Sequence, residues 1–154
     1  MSSVVLLLLV GGLVDIGRSI YVSEALSNAA REGARHGIWY DAPSHTHPYL
    51  NDTAIKTAVD QGLTADSLPA SSLQAGCPTA ADGNAAHNPP YVSGAYPSDA
   101  NVPWLYICYP PVQAGGQDLN VIVLYTYGPL TPIVKSQFGG FQVAVNQHMT
   151  VQGS

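Results

Sequence analysis

The sequence predicts an α+β fold in which a long N-terminal α-helix is followed by a small antiparallel β-sheet domain with long loops. Three observations lead there. No proline occurs between Ser2 and Gly37, where apolar and helix-forming residues predominate. Two later stretches, Trp104 to Tyr109 and Leu119 to Tyr127, concentrate Val, Ile, Leu and Tyr as strands do. Between them and the helix, Leu63 to Pro103 is rich in Ala, Ser, Gly, Asn and Pro, the composition of loops.

The first element reads as one continuous helix on the order of 50 Å long at 1.5 Å per residue. Its opening, Val4 to Val14, is apolar on every side, as expected of a helix enclosed by lipid or by other helices. Asp15 and Arg18 interrupt that run, which falls short of the roughly 20 residues that span a bilayer. A secretory signal fits poorly. Nothing basic precedes Val4, and the small-x-small site Ser27-x-Ala29 lies beyond charged residues. A buried core helix, or the tail of a membrane helix that begins upstream of residue 1, remains.

From Tyr21 onward the helix is amphipathic. Tyr21, Val22, Ala25, Leu26, Ala29, Ala30 and Gly33 form one stripe opposite Glu24, Arg31 and Arg35. Small residues recur every fourth position, at Ala25, Ala29, Gly33 and Gly37, and permit close backbone approach. Val22, Ala25, Ala29, Gly33 and Gly37 are therefore the expected helix-packing positions. Glu32 and Arg35 stand three apart, and an exposed pair of that kind contributes a few tenths of a kcal/mol. Asp15 and Arg18 are costly beside an apolar helix unless paired. One reading makes them markers of the membrane–water boundary, with Arg18 snorkelling to the headgroups. The other makes them register-setting charges between subunits.

The chain then leaves the helix through Asp41-Ala-Pro-Ser. A second helix is expected over about Thr53 to Gly62, with Asn51 or Asp52 as N-cap, Ile55, Ala58 and Val59 on one face, and Gly62 as its stop. Pro110, Pro111, Gly115 and Gly116 suit a loose connection between the two strands. In "TPIVKSQFGG", Thr131 can cap, Pro132 fits the first helical position and Gly139 terminates. Phe141 to Gln152 closes the chain as a half-buried strand, with Phe141, Val143 and Val145 alternating with Gln142, Ala144 and Asn146. The organisation predicted is an N-terminal helix over 1–37 and a globular α+β domain over 38–154.

Composition narrows the chemistry. Of 154 residues only 10% are charged, and five Lys and Arg stand against ten Asp and Glu, a formal net charge of -5. No basic cluster is present to neutralise a row of phosphates, so nucleic acid is not an expected partner. A weakly charged surface also lowers repulsion between copies, which suits a protein that assembles. Cys77 and Cys108, the two cysteines, lack zinc spacing. They read as one disulfide, worth roughly 3–4 kcal/mol in the chain-entropy model in an oxidising compartment. Two separate buried thiols are the alternative.

No catalytic constellation emerges, and no cofactor or metal is expected. His45 and His47, with Asp41 near, lack a third ligand at a fixed spacing and read as a solvated loop. Ser23, Ser27 and Ser44 lack the Gly-x-Ser-x-Gly elbow. Asp99 and Asp118 are isolated acids, and Gly11-Gly12 sits among leucines, where close packing explains it better than a phosphate loop. Tyr91, Tyr96, Tyr106, Tyr109, Tyr125 and Tyr127 divide about evenly between sheet packing and contacts between subunits.

The stretch "GLVDIGRSIYVSEALSNAAREGARHG" resembles the N-terminal helix signature of the TadE-like family, pseudopilins or minor pilins of tight-adherence (Flp-type) pilus systems. The likeness is densest over Leu13 to Gly37, where Asp15-Ile16-Gly17-Arg18 and Asn28-Ala29-Ala30-Arg31-Glu32-Gly33-Ala34-Arg35 stand in the family's order. A weaker echo follows in "VIVLYTYGPLTPIV", similar to the family's strand, Pro-x-x-Pro turn and strand. The resemblance implies a pilin-like, non-enzymatic subunit with its helix in the bacterial inner membrane, an extracytoplasmic body, and entry into a filament by helix packing against homologous or identical subunits. Processed pilins carry a Gly followed five residues later by Glu. Neither Gly11 nor Gly12 has an acid at that spacing, so either the chain starts downstream of its natural start or prepilin peptidase does not cleave it. The rival reading is a membrane-anchored extracytoplasmic binding module that does not polymerise, with Leu63 to Pro103 as its contact surface.

Overall fold

Helix α1 (Ser2–Gly37) is unbroken over 36 residues, roughly 54 Å at the α-helical rise. The computed structural model describes residues 2–38, 51–81, 88–109 and 118–151. Helix α2 (Asp52–Ala65) starts at the expected cap, where the Asn51 side chain accepts a hydrogen bond from the Ala54 amide at 3.1 Å. It then runs three residues past Gly62, its expected stop. The glycine is used sideways instead: a Cβ there would lie 3.0 Å from the Ala29 Cα and Cβ of α1. That spacing lets the two helix backbones pack closely.

Four strands form one sheet in the order β1-β2-β3-β4: β1 (Ser72–Leu73), β2 (Pro103–Cys108), β3 (Asp118–Tyr127) and β4 (Phe141–Thr150). The last three are antiparallel, with Leu105 opposite Val123 and Val123 opposite Val145. The two-residue β1 pairs parallel to β2, so the sheet is mixed where an antiparallel one was expected. Residues 74–102 separate β1 from β2, a connection long enough for the crossover that parallel pairing requires.

Strand β3 is central and covered on both faces, which is why its sequence is almost continuously apolar. Leu119, Val121, Val123, Tyr125 and Tyr127 join the core with α1 and α2. Ile122 and Leu124 face the opposite cluster, closed by Tyr91, Ala95 and Tyr96. Short helix α3 (Pro132–Phe138) bridges β3 to β4 and ends at Gly139, whose φ of 65° favours glycine. Thr131 makes no side-chain cap bond there.

Two side-chain devices fasten the loop after α2. Cys77 and Cys108 are joined across a sequence separation of 31, with Cα atoms 5.6 Å apart. Asp60 accepts hydrogen bonds from the Ser71 amide (2.7 Å) and hydroxyl (2.6 Å), and also from Lys56. Burial works against ionisation of Asp60, but these bonds outweigh it and hold its carboxyl below the usual value.

Candidate functional site

The two halves of α1 meet different surroundings. In the second half Val22, Ala25, Leu26, Ala29, Ala30, Gly33, Ala34 and Gly37 are buried. Their neighbours belong to the same chain. A Cβ on Gly33 would overlap a methyl of Val59 in α2, and one on Gly37 would overlap a methyl of Leu119 in β3. Of the five packing positions read from sequence, Ala29 and Gly33 meet α2, Gly37 meets β3 and α2, and Val22 and Ala25 are buried. Tyr21 lies off the stripe and is half exposed; its hydroxyl donates to the Asp66 carbonyl at the end of α2 at 3.2 Å. Glu32 and Arg35 approach to 3.6 Å on the exposed face.

The first half keeps most of its apolar side chains exposed and touches the body along one side. Val5 to Val10, Leu13, Val14, Ile16 and Ile20 are exposed, Leu7 at 72%. Asp15, in the middle of them, is 5% exposed. One carboxylate oxygen accepts from the Leu130 amide at 2.9 Å and the other from the Thr131 amide at 3.0 Å. The Tyr127 hydroxyl lies 3.4 Å from the same carboxylate. Arg18 places its guanidinium 5.7 Å from the centroid of the Tyr127 ring, a cation–π contact. Neither sequence reading of Asp15 and Arg18 included a partner inside the chain. A carboxylate flanked directly by Val14 and Ile16, with a Leu-Thr-Pro turn far downstream, was the available signal.

Asp15 therefore interrupts the apolar run in sequence but not on the surface. Ile16 and Ile20 continue the exposed apolar rod past it. Beside them an open groove of about 630 Å³ runs between α1, α3 and β4, lined by Gly12, Ile16, Ile20, Val134, Phe141 and Val143 among others. Among the described residues, α1 is the one helix long and apolar enough by length and composition to cross a membrane.

The remaining candidates resolve simply. Tyr91, Tyr96, Tyr106, Tyr125 and Tyr127 are buried, and Tyr109 packs partly buried against the main core. Burial pushes the Tyr91 phenol up to about 12, with the neighbouring Tyr96 adding to the shift and a hydrogen bond from Asn146 opposing it. Asp118 faces His148 at 3.3 Å and accepts from the Thr150 hydroxyl at 3.2 Å. Ser27 accepts from the Gln147 amide at 3.4 Å, and Ser23 lines the groove. Among the described residues no group of three or more His, Cys, Asp or Glu is placed to hold a metal ion. Asp41, Ser44, His45, His47 and the connection with Pro110, Pro111, Gly115 and Gly116 lie outside the described residues.

The family model for TadE-like proteins matches residues 1–35. The match covers α1 to within two residues of its end and none of the sheet. No curated protein and no solved structure matches the chain. The matched segment supports a pilin-like protein of the tight-adherence type, and its long apolar helix fits membrane anchoring.

Proposed function

We propose that this chain is a structural, non-enzymatic subunit of a bacterial tight-adherence pilus, anchored in the inner membrane by the first half of α1 and assembling through that same rod. The observation that carries the reading is the division of α1. Its second half is consumed by α2 and β3, whereas Val5 to Ile20 presents apolar side chains to the outside over the segment that the family model matches. A greasy helix of this kind is stable only in lipid or against other helices. The α+β body then stands on the extracytoplasmic side, where the Cys77–Cys108 disulfide is stable.

Photo-crosslinking from Leu9 and Leu13, both exposed, tests assembly in cells that make the pilus. Adducts with pilin-like subunits, together with filaments that contain the chain, are the expected result. Lipid adducts alone from a membrane-bound monomer would overturn assembly in favour of an anchored module.

A further inference from the structure

We infer that the β3–α3–β4 connection is a second lipid-facing element, a foot that enters the headgroup–acyl boundary beside α1. This rests on the anchoring role proposed above and extends it from the helix to the body.

The foot is placed by contacts with the rod. Leu130 and Thr131 are bonded to Asp15, and a Cβ on Gly11 would lie 3.1 Å from the Thr131 hydroxyl oxygen. Phe141 and Val134 share the groove with Gly12, Ile16 and Ile20. The groove also holds Asp15, Ser19 and Ser23, but its surface is mainly apolar, and exposed apolar side chains stand on the body beside α1 at Leu130 (64% exposed) and Phe141 (44% exposed). If lipid covers α1 as far as Ile20, with Tyr21 at the interface where tyrosines concentrate, Leu130 lies about 7–8 Å deeper along the helix axis, at the level of Asp15. Amphipathic elements that lie in a membrane surface bury themselves about 5–10 Å.

Charge and hydrogen bonding agree with that position. Residues 128–141 carry one charged side chain, Lys135, which is exposed. A cation with no acid nearby in the segment suits anionic headgroups, and its aliphatic stem can snorkel. Backbone amides near lipid are costly if unpaired. Asp15 supplies acceptors to two of them. The buried carboxylate is thus what allows an irregular turn to sit against an apolar solvent.

The native cysteines are joined to each other, so one added cysteine can carry an environment-sensitive fluorophore. Leu7→Cys, Leu130→Cys, Phe141→Cys and, on the exposed turn of the body, Ser93→Cys are labelled in the full-length chain. Each is reconstituted in phosphatidylcholine–phosphatidylglycerol vesicles, with and without brominated acyl chains, and separately exposed to aqueous iodide. The expected loss of emission to bromine falls in the order Leu7, then Leu130 and Phe141, then Ser93, and the order for iodide is the reverse. Labels at Leu130 and Phe141 that respond to iodide as Ser93 does, while Leu7 is quenched by bromine, overturn the foot and leave helix anchoring standing. Labels shielded from both quenchers, with self-quenching that rises with protein-to-lipid ratio, make a second copy the occupant and also overturn it. A Leu7 label untouched by bromine overturns the anchoring itself.

Discussion

The carboxylate of Asp15 lies 2.9 Å from the backbone nitrogen of Leu130, a residue 115 positions further along the chain. This bond and its neighbour to Thr131 tie the exposed rod to the far end of the sheet. They fix the direction in which α1 leaves the body, and with it the face that Val14, Ile16 and Ile20 present.

Replacing Asp15 with Ala should free both amides without breaking α1. Hydrogen exchange at Leu130 and Thr131 is expected to quicken by roughly tenfold or more, since bonds to a charged acceptor are among the stronger ones. Amides of β3 away from the turn should change little. Asp15→Asn, which keeps one acceptor oxygen, should fall between the two, and equal protection in all three proteins would remove Asp15 as the clasp.

Gly33 and Gly17 should respond oppositely to enlargement. Gly33→Leu drives a side chain into Val59 and is expected to cost about 1–3 kcal/mol in denaturant unfolding. Gly17 has nothing within 4 Å of a would-be Cβ, so Gly17→Ala should leave stability within about 0.5 kcal/mol of the parent or raise it.

Opening the disulfide by the double change Cys77→Ala and Cys108→Ala removes a crosslink spanning 31 residues. The chain-entropy model puts the loss at about 3–4 kcal/mol. A midpoint shift in urea with little change in helix content would match this, because α1 and α2 do not depend on the bridge.

Alkali should destabilise the fold through its buried phenols. The Tyr91 pKa is raised to about 12 by burial, so the folded state favours the neutral form. Its contribution is fully present below the unfolded value near 10 and is lost as pH climbs through the folded one, about 2–3 kcal/mol in all. Stability measured between pH 9 and 12 should fall more shallowly in Tyr91→Phe than in the parent.

Acid acts through Asp60 with the opposite sign. Its carboxyl is held low in the folded state, so its contribution is present above the unfolded value near 3.9 and is lost as pH drops through the folded one. Ser71→Ala, which deletes the hydroxyl bond, should make the acid transition of stability less steep, and Asp60→Asn should flatten it further.

Local signals are legible in the chain itself. The Asn51 cap, Pro132 at the start of α3 and Gly139 at its end each act within one turn of helix, so composition and spacing suffice to locate them. The strands at Pro103–Cys108 and Asp118–Tyr127 were visible for the same reason. Gly62 was not, because its use depends on Ala29 in another helix. Strand β1 was hidden too, since two residues carry no periodicity and owe their state to β2.

Taken alone, the amino-acid sequence determined where α1 begins to be amphipathic, which residues on it are small, and that its opening is apolar; all of these follow from side-chain chemistry and the helical period. Tertiary structure decided what covers the small stripe and which way Asp15 faces. Those outcomes rest on α2, β3 and a turn more than a hundred residues away. A charge in a string of letters has no direction until a partner's amides arrive to receive it.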